Sequence, residues 1–206
     1  MAIITNGLTL WLDGIDFINS PPTTTWIDKS AEANNGTCSN FLWTTASGSD
    51  GAGGVKIIGD DLVSIANVAS LNSNFITCEV KVKVGASYPA LTATMMAKDS
   101  GTATPWRFAM TSTGGTVIFI GAVAVLYSTG VVALNSTTHI GFTYDGANVR
   151  IYWNGAQNNF VAKTGNLPQA TAPVTVGNIT ARNRPLDETI YIARLYNRAL
   201  TAQEIL

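Results

Sequence analysis

Histidine is almost missing from this 206-residue chain, which has one, His139, beside two cysteines. So few ligands exclude a zinc centre, since such sites are built from clusters of Cys and His. Any Ser-His-Asp chemistry would have to run through His139. Charge is also scarce. Asp, Glu, Lys and Arg make up 12% of the residues, about half the usual share. A net charge of −1 and a pI near 5.7 supply no basic field for nucleic acid or an anionic membrane. No apolar run approaches the roughly 18 residues that a membrane helix requires; the longest, residues 116–127, is broken by Gly121. No membrane insertion is expected. The opening MAIITNGLTLWLDG has no basic start, long apolar core or small-residue cleavage site, so no secretory signal is expected. Helical periodicity is nearly absent as well, and with it a glycine-rich phosphate loop leading into a helix. Cys38 and Cys78 allow one bridge at most. Cys78 shares a strand face with Ile76, Val80 and Val82, which favours a buried free thiol.

What the chain does have is β pattern. Hydrophobic residues are 46% and aromatics 9%, enough for one sizeable core, and a single domain over residues 1–206 is expected. The clearest stretch is TTHIGFTYDGANVRIYWN, residues 137–154. Ile140, Phe142 and Tyr144 alternate with polar or small residues, and so do Val149, Ile151 and Trp153 after Asp145-Gly146. That is a β-hairpin. A two-residue turn would set Phe142 opposite Val149, and a four-residue loop, 145–148, would set it opposite Ile151. Either keeps the apolar set on one face. Asn154-Gly155 offers a second such turn, leading into a strand over 157–163.

Further strands are expected over 7–13, 41–45, 55–59, 62–66, 75–84, 92–98, 106–111, 116–120, 123–128, 173–178 and 189–196, with a short extended piece at 26–28. Residues 15–25, with Pro21-Pro22, read as a loop. Residues 46–54, ASGSDGAGG, read as a flexible surface tip. Only the tail looks helical, where Thr201 and Glu204 have the form of a capping box and Ile205-Leu206 would make its apolar contact. Many short strands with almost no helix predict an all-β, two-sheet antiparallel sandwich with a short C-terminal helical turn.

Six stretches carry a resemblance: NGLTLWLDG, WIDKSAEANNGT, GDDLVSI, FITCEVKVK, HIGFTYDGANVRIYWNG and IARLYNRALTAQEI. In that order they resemble the laminin-G-like, concanavalin A-like lectin/glucanase family. The resemblance implies a jelly-roll sandwich whose members bind glycans or protein partners, serve as assembly modules, or in some branches hydrolyse polysaccharides. Its hydrolytic branches place carboxylates in an E-x-D-x-x-E pattern, suited to a pair flanking one glycosidic bond. No Asp or Glu here has another two residues on. The pairs Asp60-Asp61 and Asp187-Glu188 are adjacent and, on a strand, would point to opposite faces. A histidine at the position of His139 is common and structural in the family, which implies a packed ring with one satisfied nitrogen.

The resemblance also implies calcium at the rim, with Asp60, Asp61 and Asp99 as candidate ligands. Two departures weigh on that inheritance: Tyr191 stands where the family's last strand carries an acidic residue, and Glu188 where it carries glycine. An exposed indole stacks on a sugar face, and Trp26 and Trp106, nearest to loops, are the candidate glycan platforms, whereas Trp11 and Trp153 read as core. Low charge suits burial against neighbouring subunits. The leading expectation is a non-enzymatic virion surface protein of a bacteriophage, a capsid decoration or fibre component made in the host cytoplasm. Its expected partners are capsid or tail proteins, further copies of itself and host-surface glycans. A freestanding carbohydrate-binding lectin is the alternative, and a glycoside hydrolase the third.

Overall fold

A computed structural model describes residues 3–18, 23–44, 46–100 and 102–205. Its strands begin with β1 (Leu8–Asp13), β2 (Thr25–Trp26), β3 (Gly36–Ser39), β4 (Gly48–Ser49), β5 (Val55–Ile57) and β6 (Leu62–Ile65). The middle of the chain gives β7 (Ile76–Lys83), β8 (Ala93–Lys98), β9 (Trp106–Met110), β10 (Thr116–Ile120) and β11 (Val123–Tyr127). The last are β12 (Thr137–Tyr144), β13 (Asn148–Trp153), β14 (Ala156–Ala162), β15 (Val174–Val176) and β16 (Glu188–Tyr196). They form two eight-stranded antiparallel sheets. Sheet one runs β14-β13-β12-β7-β16-β5-β4, with β1 also paired to β16, and sheet two runs β11-β10-β9-β8-β15-β6-β3-β2. The sandwich expected from the sequence is present.

Alternation along the strands supplies the inner faces. Ile76, Cys78, Val80 and Val82 of β7 and Ile140, Phe142 and Tyr144 of β12 meet Phe108, Met110 and Ile118 of sheet two in one buried cluster. Phe142 bridges the sheets, its ring 5.2 Å from Phe108 edge-on and 6.1 Å from Trp106, a geometry that satisfies the ring quadrupoles. Cys38 and Cys78 are both buried and free. Burial pushes the Cys38 thiol up to about 12 and raises that of Cys78 as well.

The hairpin has the wider of its two loops: Phe142 faces Ile151 and Tyr144 faces Val149. The cause is Asp145, whose Oδ1 accepts the N–H groups of Ala147 (2.8 Å) and Asn148 (2.6 Å) and so holds four residues in the loop. Asn154-Gly155 is the tight turn expected, with φ of 49° and 81° and Trp153 opposite Ala156.

Two local expectations are corrected. Residues 41–44 form no strand, because Asn40 and Trp43 have φ of 69° and 52° and break the extended run; Thr45 lies outside the described residues. The glycine-rich stretch 46–54 is not a loose tip. Gly48–Ser49 pairs with β5 as β4, Ser47, Gly53 and Gly54 are buried, and a Cβ on Gly14 would stand 2.4 Å from the Gly53 carbonyl. Glycine here permits close approach. The tail is a single turn closed by Glu204 and Ile205 N–H bonds to the Thr201 carbonyl. Glu204 reaches back to the Thr201 N–H at 2.9 Å, as a capping box requires. Ile205 is buried, while Leu206, like Pro21 and Pro22 of the expected loop, lies outside the described residues.

Candidate functional site

At one rim of the sandwich the loop from β6 to β7, with its 3-10 turn Ala69–Leu71, meets the loop from β14 to β15. Leu71 and Leu167 are buried and anchor the two loops. Between them lies a hollow of about 460 Å³ lined by Asn67, Asn72, Gln169, Ala170 and Thr171. Behind Asn67 stands Lys98, 2% exposed, at the end of β8. Its Nζ donates to Asn67 Oδ1 at 2.7 Å. Burial strips water from this ammonium and pushes it down to about 8.

An ammonium can meet only the oxygen of an amide, so Lys98 fixes which way Asn67 points. Asn72 Nδ2 donates to the same Oδ1 at 3.1 Å and to the Val68 carbonyl at 2.8 Å. Asn67 Nδ2 is therefore turned outward as a donor, and Asn72 Oδ1 remains as an acceptor. Gln169 Nε2 is spent on the carbonyls of Leu167 (3.0 Å) and Ser73 (3.3 Å), leaving Oε1 as a second acceptor. With the Thr171 hydroxyl, the hollow offers donors and acceptors in fixed places and no charge at its lip. Such a lining suits hydroxyl groups, each of which donates and accepts.

The residues expected to carry a site are elsewhere. Trp26 is 0% and Trp106 2% exposed, which corrects the sugar-platform expectation: neither indole offers a face to a ligand. Trp26 packs edge-on against Phe17, and its Nε1 donates to the Asp13 carbonyl at 3.0 Å. Trp106 lies opposite Lys98 across the sheet and packs against Phe142.

The three candidate calcium ligands do not converge. Asp60 and Asp61 precede β6, while Asp99 follows β8; Ile65 at the far end of β6 is level with Val174, which is level with Lys98. The acids thus sit at opposite ends of their strands. Asp61 is buried and accepts the Ile58 N–H at 3.1 Å, and burial raises its carboxyl above the usual range. Arg182 reaches the Asp60 carbonyl and puts a positive charge beside this pair. Asp99 accepts from Thr104 Oγ1 at 2.9 Å. No three acidic, histidine or cysteine side chains among the described residues group as metal ligands, so this set does not fit calcium.

His139 lies on the outer face of sheet one with Nε2 3.7 Å from Glu79 Oε1, and Glu79 Oε2 is 3.6 Å from Arg194 Nη1. Neither ring nitrogen finds a hydrogen bond among the described residues, so the expected satisfied nitrogen is not seen. Burial, helped by Arg194 and Lys81, pushes His139 down to about 4. Beside this knot, Tyr152, Tyr196, Leu8, Leu200 and Ile205 make a second small core. Glu79 and Arg194 are thus shut away from substrate.

Asp187 and Glu188 correct another expectation. They do not face apart, but line one hollow of about 290 Å³ with Asp50, Lys56, Lys83, Gly85 and Thr189. Asp187 has φ of 57°, so strand alternation does not carry across it. Glu188 is buried and pushed up to about 7, by burial first.

An antiparallel two-sheet sandwich with hollows at its rim and on one outer face is a lectin-type jelly roll in class. Residues 58–206 match the Laminin_G_3 model of the concanavalin A-like lectin/glucanases superfamily, and the chain belongs to that superfamily. Among solved structures it is similar to a mutant of Trypanosoma rangeli sialidase displaying trans-sialidase activity, at 18% identity and a TM-score of 0.70, over 100% of this chain and 33% of that one. It is similar to the binding domain of Paraclostridial Mosquitocidal Protein 1 at 12% identity and 0.69, over 97% and 51%. Domain 4 of AbnA, a GH43 extracellular arabinanase from Geobacillus stearothermophilus, in complex with arabinotriose, matches at 14% identity and 0.62, over 98% of both chains. At these identities the likeness is one of fold. The chain spans 33% of the length of the sialidase mutant. No curated protein matches it.

Proposed function

We propose that the protein is a non-catalytic carbohydrate-binding module whose rim hollow takes a neutral oligosaccharide. The observation that carries this reading is the amide set of Asn67, Asn72 and Gln169, the first two oriented through the buried Lys98 and the third by the carbonyls of Leu167 and Ser73. A fixed pattern of donors and acceptors lowers the ordering cost of binding. Domain 4 of AbnA holds arabinotriose in its structure, so that neutral trisaccharide is the first probe to try. The reading needs no metal.

Calorimetry against a panel of neutral oligosaccharides tests it. The wild type should retain at least one of them with EDTA present. Asn67→Asp, which turns the outward donor into an acceptor and keeps a partner for Lys98, should weaken that binding about tenfold, the worth of one neutral hydrogen bond. If no neutral sugar is retained, the reading goes. Release of new reducing ends from the bound sugar would remove its non-catalytic half.

A second reading, attachment to a virion surface, draws on the adjoining edge strands β11 and β14. Val123, Tyr127 and Phe160 are exposed there, and Asn159 Nδ2 ties the two edges through the Tyr127 carbonyl at 2.8 Å. Mass spectrometry of purified particles decides it, and absence of the chain from them ends that reading.

A further inference from the structure

Across the outer face of sheet one, a single rung of paired residues runs over five strands: Thr137 on β12, Lys83 on β7, Thr189 on β16, Lys56 on β5 and Gly48 on β4. Directly paired residues share a face, so hydroxyls and ammoniums alternate along it. The two lysine stems stand two strand spacings apart, roughly 10 Å. Lys81 lies two residues from Lys83 on the same face, its Nζ 5.9 Å from the centre of the Tyr191 ring.

The carboxylates of the adjoining hollow are turned to the backbone. Asp50 Oδ1 accepts the N–H groups of Ala52 and Gly54, each at 2.7 Å. Asp187 Oδ1 accepts from Gly59 at 2.7 Å, and Glu188 Oε2 from Gly85 at 2.8 Å. Among the described residues no ion pair engages Lys56, Lys81 or Lys83, although three acids line the hollow that two of these lysines also line. Each of these acids spends a carboxylate oxygen on backbone N–H groups, which leaves the ammoniums of the rung open to an anion from outside.

We propose that the rung of Thr137, Lys83, Thr189 and Lys56 binds an acidic saccharide, the two ammoniums holding its anionic group and the threonine hydroxyls its ring oxygens. The saccharide half of this assignment rests on the function proposed above, and the anion half stands on the rung alone. It is a second site, sharing no lining residue with the amide hollow.

Calorimetry on the intact chain separates the possibilities. The probes are a galacturonic acid trimer, a sulfated galactose trimer and the uncharged galactose trimer. One or both acidic probes should bind and the uncharged one should not bind here, and the probe that binds names the anion. Lys56→Met and Lys83→Met should each weaken the acid at least tenfold, Lys56→Arg should retain most of it, and Lys163→Met should change nothing. Unaltered melting temperatures would keep folding out of the comparison. Binding of neither acid, equal lysine-dependent binding of the neutral trimer, or indifference of acid binding to both methionine variants overturns the proposal. Loss of neutral-sugar binding in Asn67→Asp with acid binding intact would separate the two sites; if no neutral sugar binds while the lysine-dependent acid does, the rim function falls and this one stands. Equal lysine-dependent binding of single-stranded DNA would overturn the saccharide assignment.

Discussion

An ammonium taken out of water is costly, and one amide oxygen returns only part of that cost. Lys98 accepts this position because a bulge puts it there. The register of β8 against β9 slips between Thr94 and Met96, so Met95 and Met96 both join the core. Plain alternation from Ala93 would point Lys98 to the opposite face, so the pattern of single residues gives no hint of its burial. A bulge leaves no reliable trace in a pattern of single residues. Lys98→Met removes the charge while keeping the length of the side chain. Its stability should be unchanged or about 1 kcal/mol higher, while neutral-sugar affinity should fall about fivefold as Asn67 loses its pin. Thermal melts and calorimetry on one preparation check both. A variant that melts far below the wild type, or binds as it does, shows that the lysine is no pin.

Turns explain most of what could and could not be read along the chain. Asn154-Gly155 was legible because both residues tolerate the positive φ a two-residue turn demands. Asp145-Gly146 left two registers open, since the choice belongs to the Asp145 carboxylate and to Arg150, which meets its Oδ2 at 2.6 Å. Residues 46–54 were misread because glycine has two uses, freedom and closeness, and composition does not separate them. Asp145→Ala should cost about 1–2 kcal/mol by freeing the Ala147 and Asn148 N–H groups. It should also broaden the amide signals of residues 144–149 in NMR spectra as the two registers exchange. Sharp, unshifted signals there would show that strand pairing alone sets the loop.

At the scale of the whole molecule, sheet one carries a half-buried and a buried ionisable group whose proton linkage runs in opposite directions. His139 is pushed from 6.5 down to about 4. Between those values the unfolded chain binds more protons at this site, so His139 makes the fold lose stability as pH falls. Glu188 is pushed from 4.5 up to about 7. There the folded chain binds more protons, so Glu188 makes the fold lose stability as pH rises. The windows overlap between pH 4.5 and 6.5, where the two slopes oppose one another. Asp61, raised by burial, leans with Glu188, which makes differences from the wild type the cleaner measure. Glu188→Gln should therefore gain melting temperature relative to the wild type as pH climbs from 4.5 to 7, because the cost of ionising a buried carboxyl is gone. His139→Gln should gain relative to the wild type as pH drops from 6.5 to 4, because no imidazole is left to be charged against the sheet. Two difference curves of opposite slope across the overlap are the expected outcome of a melting series in half-unit steps. Flat or parallel curves would mean that solvent reaches both groups, and that sheet one opens around them far more often than its packing allows.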